Sequence, residues 1–391
     1  MRQLKRRCSS SGSAASAASS IVMYGLVVAR GAGNVCSTRT RADTPGGAGV
    51  GVAVTGSSRC RRARTRIGTA CAARLPVPAA RGETMAQHTE SGAPAGTAVI
   101  VVNFGSHALV DANLSRTLAG LEGVTGVVVD NFTDPAERAA VSELCAARGW
   151  TAVLSDRNEG FGTGVRRGVE AIRGRDVRTI VMLNPDAWME PSALEALVAH
   201  AVRDPRALVA PLVVRPDGTV FADLQDLYLA DGTMRASRAR PAEVREHEVL
   251  RWVSGACAAL SLELWDASGG FDDDYFLYWE DVDLSARVWA VGGTVELDRD
   301  VSAVHDEGGT HGFAAAGRAK SPIYYYYNIR NRFLFARKHL DEDGQRRWRG
   351  SATRVARKVL LQGGRRQFVH PARTLVPAWK ALRDGRRWEG S

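Results

Sequence analysis

Thr97-Ala98-Val99-Ile100-Val101-Val102-Asn103-Phe104-Gly105-Ser106 is where this chain first reads as a folded domain. The run 98–102 has strand length and no polar alternation, so both faces of that strand must be covered. It stops at Asn103, and residues 109–121 then predict a helix. The pattern repeats downstream. Gly126-Val127-Val128-Val129 ends in Asp130-Asn131, a helix follows over 136–147, and Thr151-Ala152-Val153-Leu154 is the next strand. After a Gly-rich turn, residues 165–172 read as helix, and Thr179-Ile180-Val181-Met182-Leu183 ends in Asn184-Pro185-Asp186. Wholly apolar strands alternating with helices predict an α/β fold with a Rossmann-like, mostly parallel sheet and helices on both faces. Ligands of such sheets sit outside the carboxyl ends of the strands. Asn103, Asp130, Asn131, Asn158 and Asp186 are thereby expected along one edge.

Further on the pattern loosens. Short strands are expected at 208–210 and 213–214, a variable loop over 225–248, and a mixed segment over 252–262 around Ser254-Gly255-Ala256-Cys257. A helix over 280–291 and strand-like runs at 294–297 and 301–304 follow, with no internal repeat.

With 391 residues, 45% apolar and 24% charged, the chain can bury a sizeable core. Its formal charge of +10 suggests a nucleic-acid binder until the charge is located. Residues 1–84 carry 14 Lys/Arg against Asp43 and Glu83, and residues 345–391 carry 13 against Asp384 and Glu389. What lies between, 85–344, has 25 basic and 38 acidic residues. An acidic globular middle between two basic ends gives no reason to expect nucleic acid as partner. Cys8, Cys36, Cys60 and Cys71 fall in the first 84 residues, Cys145 and Cys257 lie far apart, and no C-x-x-C spacing exists. Neither a zinc site nor a disulfide framework is indicated, and a cytoplasmic setting fits.

The N-terminal region 1–96 is read as a basic tail and linker. One reading of 1–84 is a segment too rich in Gly, Ala, Ser and Arg to form a core, or an upstream stretch with Met85 as the natural start. The other is a targeting segment, with Arg2, Lys5, Arg6 and Arg7 before the Ser-interrupted apolar stretch 14–28. Gly46-Gly47-Ala48-Gly49-Val50-Gly51 resembles a phosphate loop but has no strand before it and no helix after it, so it reads as linker.

Three features carry chemistry. Asp186, just after a buried strand, is placed to hold a divalent cation through oxygen or to cap the helix that starts near Pro191. Tyr275-Phe276-Leu277-Tyr278-Trp279-Glu280-Asp281-Val282-Asp283 sets three carboxylates at a helix start, where the macrodipole favours acids, behind an aromatic run expected to line a pocket wall. Crowded acids raise one another's pKa, which suits one of them to act as general base. His305, at the end of the run 301–304, is either a second cation ligand or structural, while His311 and His339 read as structural.

Taken in order, Val101-Val102-Asn103-Phe104, Val129-Asp130-Asn131, Asn158-Glu159-Gly160-Phe161-Gly162, Leu183-Asn184-Pro185-Asp186, Gly255-Ala256-Cys257, Gly269-Gly270-Phe271-Asp272, Trp279-Glu280-Asp281-Val282-Asp283-Leu284 and Val304-His305 resemble the family 2 glycosyltransferases, and most of all a bacterial rhamnosyltransferase-like subgroup. The resemblance covers roughly 97–340 and implies a GT-A domain there. It implies an inverting transfer from a nucleotide sugar, with Mg²⁺ or Mn²⁺ as cofactor. By position, Asp130 would bind the base beside Asn103 and Asn131, and Asn158 and Gly160 would shape the loop under the diphosphate. Asp186, after Asn184, would stand at the last place of the D-x-D-like motif, with His305 as the other metal ligand. Asp281 would be the base, with Glu280 and Asp283 its acidic neighbours. Val165-Arg166 replaces the Asn pair frequent in the family, so Arg166 would contact phosphate or mark a different sugar. The basic pair usual after Cys257 is missing as well.

The function expected is transfer of rhamnose from dTDP-rhamnose to a lipid-linked or polysaccharide acceptor in cell-wall or surface-glycan synthesis. Alternatives are a UDP-hexose or galactofuranose transferase and a non-catalytic sugar-nucleotide-binding homologue. A dinucleotide oxidoreductase is excluded, because Asn103-Phe104-Gly105-Ser106-His107 supplies no G-x-G-x-x-G.

Residues 341–391 read as a basic amphipathic helical extension. Trp348, Ala352, Val355 and Val359 share one helix face, off which Arg347, Arg349, Arg354, Arg357 and Lys358 largely lie. Phe368, Leu375, Val376, Trp379 and Leu382 continue the apolar theme among Arg365, Arg366, Lys380 and Arg383. This segment either rests on anionic lipid at the inner face of the cell membrane or packs on the catalytic domain. The tyrosines of 324–327 open a helix and pack, some of them facing the acceptor.

Overall fold

In the computed structural model, which describes residues 95–306 and 320–387, the Val-rich run is strand β1 (Thr97–Asn103), with every residue buried. Each such Val or Ile side chain contributes roughly 1.5–3 kcal/mol by leaving water. The expectations for 1–84, including the 46–51 glycines and the Met85 start, and for His311 lie outside the described residues.

After β1 come α1 (His107–Thr117), β2 (Val124–Asp130), α2 (Pro135–Arg148), β3 (Thr151–Leu154), α3 (Phe161–Ala171) and β4 (Thr179–Leu183). Helix α2 carries its own start and stop. The Asp134 side chain accepts from the amides of Ala136 and Glu137, Pro135 opens the first turn, and Gly149 closes the helix in the left-handed region. The strands lie side by side in the order β3-β2-β1-β4, all parallel. The chain steps one way from β1 to β3 and returns past β1 to reach β4. Right-handed crossovers then put α1 and α2 on one face and α3 on the other, and the reversal opens a crevice between the carboxyl ends of β1 and β4.

Helix α3 starts earlier than its sequence suggests. Gly164 reads as part of the turn, but it and Gly168 face β1: a Cβ at Gly164 would stand 2.8 Å from Val102, and one at Gly168 2.6 Å from Ile100. These glycines let the helix lie tight on the sheet.

Beyond β4 come β5 (Ala187–Trp188), α4 (Pro191–Arg203), β6 (Ala207–Val214), β7 (Val220–Ala222), β8 (Gln225–Tyr228), β9 (Met234–Ala236), β10 (Val249–Trp252) and β11 (Cys257–Ser261). The described chain continues with α5 (Leu262–Ser268), α6 (Glu280–Ala290), β12 (Thr294–His305), α7 (Pro322–His339), α8 (Glu342–Gln362) and α9 (Leu375–Arg387). The main sheet runs β3-β2-β1-β4-β11-β6-β12-β5, with β7 on β6. Strand β11 is antiparallel to both neighbours and β12 parallel to β6, so the sheet is parallel at one end and mixed at the other. With helices on both faces of a Rossmann-like, partly parallel sheet and a helical C-terminal segment, the α/β class is the one expected.

Two expectations fail. The strands foreseen at 208–210 and 213–214 are one, because Pro211 falls where the ladder with β12 shifts register, a place where a sheet tolerates proline. Residues 225–248 are not simply a loop. Strands β8, β9 and β10 form a small antiparallel sheet, hidden in the sequence by Asp226. That carboxylate is fully buried and satisfied by Ser237 at 2.7 Å and by both Nε and Nη2 of Arg240, at 2.6 and 2.7 Å. The cost of burying it is offset by a bidentate partner.

Helices α7, α8 and α9 pack on one another. The stripe Trp348, Ala352, Val355 is buried, with Ala356 and Leu360 beside it, so this face packs inward and does not rest on lipid. Among the described residues, no helix is long and apolar enough to cross a membrane.

Candidate active site

The edge begins at β1 and β2, where Asn103 and Asp130 are fully buried. Asn103 Nδ2 donates to Glu137 Oε1 at 2.9 Å, and its Oδ1 accepts from the Ser106 amide and hydroxyl. Glu137 also takes the His107 amide at 2.7 Å and the His107 ring at 2.7 Å. Burial raises the Glu137 carboxyl, but these hydrogen bonds outweigh it and hold the group below its usual range. Asn103 therefore latches α1 to α2. Asp130 is different. Its Oδ2 accepts from Arg138 Nε at 3.3 Å, while Oδ1 is buried without a partner. Desolvation raises this carboxyl despite the nearby guanidinium. An unmatched acceptor at a strand end is what a ligand N–H would complete. Arg138 also donates to the Ser155 carbonyl and lies 4.6 Å from the centre of the Phe132 ring.

Asn131 organises the next loop. Its Nδ2 donates to Asn158 Oδ1 and to the Gly160 carbonyl, both at 3.0 Å, and its Oδ1 accepts the Glu159 amide at 3.0 Å. Asn158 Oδ1 takes the Gly160 amide at 2.9 Å. Gly160 has φ of 88° and leaves no room for a Cβ against the Phe276 carbonyl, so only glycine fits. Asn131, Asn158 and Gly160 thus form one unit. Arg166 stands apart from it, its guanidinium paired with Asp273, which Thr163 also contacts at 2.9 Å.

At the end of β4 a second group forms. Strand β5 pairs antiparallel with the end of β12, His305 opposite Ala187, and this ladder brings His305 beside Asp186. His305 Nε2 stands 3.2 Å from Asp186 Oδ1 and 3.2 Å from Asn184 Nδ2. The ring is fully buried, stacks on Phe221 at 4.4 Å, and leaves Nδ1 unpartnered. Asn113 Nδ2 donates to the Pro185 carbonyl at 2.8 Å, and a cavity of about 420 Å³ lined by Asn113, Asp186, Trp188 and Asp306 opens beside the group. An imidazole nitrogen and a carboxylate oxygen turned toward each other are suitable donors for Mg²⁺ or Mn²⁺. Among the described residues no cluster of three or more His, Cys, Asp or Glu could hold a metal ion.

The third group is the start of α6. Glu280 is fully buried and neither carboxylate oxygen has a partner. Burial first, then the neighbouring Asp281, holds its carboxyl well above the usual range. Asp281 accepts the Gly255 amide on Oδ2 at 3.1 Å and the Val282 amide on Oδ1 at 2.8 Å. Desolvation still pushes its carboxyl up to about 7. Asp283 is an anchor: Arg287 Nη2 lies at 2.7 Å and His339 Nε2 at 2.6 Å, and these partners overcome burial to keep its carboxyl low. The Gly255-Ala256 turn links the last two groups, since Gly255 binds Asp281 while the Ala256 carbonyl accepts the Asn184 amide at 2.9 Å.

The aromatic run 275–279 is not a pocket wall. Tyr275, Leu277, Tyr278 and Trp279 are buried, with Tyr278 against Tyr324 and Trp279 against Phe335 and Trp348. Tyr278 and Trp279 also have positive φ, 65° and 76°. Asn331 on α7, fully buried, donates Nδ2 to the Leu277 carbonyl at 2.9 Å and the Tyr278 carbonyl at 2.7 Å. Sequence reasoning missed Asn331. Flanked by Arg330 and Arg332, it gave no signal in the sequence.

Residues 98–261 match the family model described as Glycosyl transferase family 2. Over 206 residues the chain is 30% identical to the N-acetylglucosaminyl-diphospho-decaprenol L-rhamnosyltransferase of Mycobacterium tuberculosis, which is 46% of this chain and 65% of that relative. Over 242 residues it is 20% identical to the low-salt glycan biosynthesis hexosyltransferase Agl10 of Haloferax volcanii, 60% of this chain and 74% of that protein. Among solved structures it is similar to the mannosyltransferase PcManGT from Pyrobaculum calidifontis in complex with GDP-Man and Mn²⁺, with a TM-score of 0.44, 18% identity and coverage of 74% and 86% of the two chains. It is also similar to GalNAc-T7 with UDP, GalNAc and Mn²⁺, with a TM-score of 0.42, 14% identity and coverage of 54% and 44%. Over residues 98–261, then, the chain is similar to the family 2 glycosyl transferases.

Proposed function

We propose that this protein transfers a sugar from a nucleotide donor to an acceptor hydroxyl with inversion, with Asp281 as general base. The observation that carries this reading is the Asp281 carboxyl, buried, pushed up to about 7, and joined through Gly255-Ala256 to the Asn184, Asp186 and His305 group. A carboxylate poised near neutrality accepts the acceptor's hydroxyl proton as the oxygen attacks the anomeric carbon, and the bond from that carbon to the diphosphate oxygen breaks. Asp130, with its unmatched Oδ1, accepts from the nucleobase. The loop ordered by Asn131, Asn158 and Gly160 lies under the diphosphate. Asp186 and His305 hold a divalent cation, which when bound stabilises the departing nucleoside diphosphate. Burial and the neighbouring Asp281 raise the Glu280 carboxyl, which disfavours a second negative charge beside the base.

The donor is dTDP-rhamnose and the acceptor lipid-linked. The L-rhamnosyltransferase named on a decaprenol-linked substrate supports this, although the chain spans only 65% of that relative's length. The test is a thermal-shift panel on the full chain with dTDP, UDP and GDP, with and without Mn²⁺, beside Asp186→Ala. A metal-dependent rise with dTDP, lost in the variant, is the expected result, at about 2.7 kcal/mol for ligand at a hundredfold its Kd. A rise with UDP alone would replace the rhamnosyl donor by a hexosyl one. No response to any nucleotide would overturn the transferase reading.

A further inference from the structure

The outer face of α9 is built for a surface other than protein. Its inner face, Ala378, Ala381 and Gly385, is buried, with Gly385 pressed against Phe333 of α7. On the outer face Leu375 and Val376 are each 45% exposed and Trp379 is 60% exposed. Lys380, Arg383, Arg386 and Arg387 are exposed on the same helix, and a rotation of 100° per residue brings 376, 379, 380, 383 and 387 to the side opposite Ala381 and Gly385. The Arg383 guanidinium lies 5.2 Å from the Trp379 ring centre. Just before the helix, Val369 is 73% exposed. Residues 361–387 hold seven Lys/Arg and one acid, Asp384, which is engaged by the Tyr326 hydroxyl and Arg383.

Among the described residues Trp379 is the most exposed tryptophan, and it stands in a field of cations. The core of a protein interface is depleted of charge, whereas a helix that lies on a bilayer interleaves Trp and Leu with Lys and Arg. The charge is complementary to an anionic leaflet, and the acidic middle of the chain, 85–344, is repelled by it, which favours this end as the contact.

We propose that the outer face of α9 seats the protein on an anionic phospholipid surface, with Leu375, Val376 and Trp379 entering the headgroup region and Lys380, Arg383, Arg386 and Arg387 meeting lipid phosphates. Lipid binding is measured without sugar transfer, so it stands or falls apart from the catalytic reading. The experiment is co-sedimentation of the full chain with vesicles of phosphatidylcholine alone or mixed with phosphatidylglycerol, at low and high salt. It is repeated with Trp379→Ser and with Lys380→Glu/Arg383→Glu, and unchanged melting temperatures show that both variants fold. The expected result is binding to phosphatidylglycerol vesicles only, weakened by salt, and reduced by at least about tenfold in each variant. Because the variants leave the basic 1–84 segment intact, undiminished binding in both would overturn the proposal. So would equal binding to neutral vesicles, no binding at all, or vesicle-free self-association that Trp379→Ser abolishes, which would assign the face to a second copy of the chain.

Discussion

Asp281 is held by two amide donors, which favour its charged form, and is out of water, which opposes it more strongly. Both its chemistry and its effect on stability follow from that balance. As the proposed base, it should make kcat rise with pH through about 7 and level off above, and Asp281→Asn is expected to lower kcat by about 10²–10⁴ while the nucleotide thermal shift persists. The stability effect has the opposite sign. A carboxyl at about 7 in the fold and at the ordinary aspartate value of 3.8 when unfolded binds an extra proton in the folded state between those limits, so stability falls as pH rises through that window. Asparagine removes the cost. Asp281→Asn is therefore expected to melt several degrees above the parent at pH 8 and to lose that advantage toward pH 4. Calorimetry across pH checks it, and a variant melting below the parent at pH 8 would contradict a base held up by burial.

At the scale of elements, the presentation of Asp281 depends on α7. Two bulky residues in succession, Tyr278 and Trp279, occupy the left-handed region, at a cost of roughly 1–3 kcal/mol each. Such a pair persists only where its surroundings impose it. The Tyr324, Phe335 and Trp348 rings pack around it, and Asn331 holds the Leu277 and Tyr278 carbonyls that lead into it. Asn331→Ala leaves two buried acceptors unpaired and should destabilise by about 2–4 kcal/mol. Because α6 starts at the next residue, kcat should fall more than the donor KM rises, with part of the loss remaining under conditions where the variant is fully folded. Urea melts with steady-state kinetics decide it, and a stability loss with unchanged kcat would reduce Asn331 to scaffolding. None of this was legible in the sequence, which shows local periodicity and not what faces a segment from elsewhere in the chain. Strands β1, β2 and β4 were legible, because burial on both faces leaves uninterrupted apolar runs, and the half-exposed edge strand β3 was legible as a short apolar run after a helix. So was the edge carrying Asn103, Asp130, Asn131, Asn158 and Asp186, because topology alone places strand ends. Helix α3 was shortened, because glycines chosen for close packing look like turn glycines. The strands of 225–248 were lost behind a buried Asp226 whose partner lies 14 residues away. The aromatic run 275–279 was mistaken for a pocket wall because nothing local reveals the helices that cover it.

For the molecule as a whole, stability and activity are set against each other by pH. His200 on α4 bridges to β12 through Glu296 Oε2 at 3.0 Å and Asp298 Oδ2 at 2.8 Å. The hydrogen bond to Glu296 does most to raise its pKa above the ordinary 6.5, with Asp298 adding to it and burial opposing. A raised folded pKa means that this bridge contributes fully below about 6.5 and is lost as pH climbs through the folded value. Asp281 destabilises the fold over a neighbouring range in the same direction. Opposing both, the depressed carboxyls of Glu137, Asp283 and Glu296 contribute above their ordinary values near 4 and are lost on acidification. The melting temperature should therefore peak in the mildly acidic range and decline toward pH 8, where the base is ionised and turnover is highest. His200→Gln removes one cause of that decline without touching the site. It is expected to be about 1–2 kcal/mol less stable than the parent below pH 6.5 and to converge with it at higher pH, with kcat unchanged. Parallel stability curves for the two proteins from pH 5 to 9 would mean that His200 is uncharged throughout and that the alkaline decline has another source.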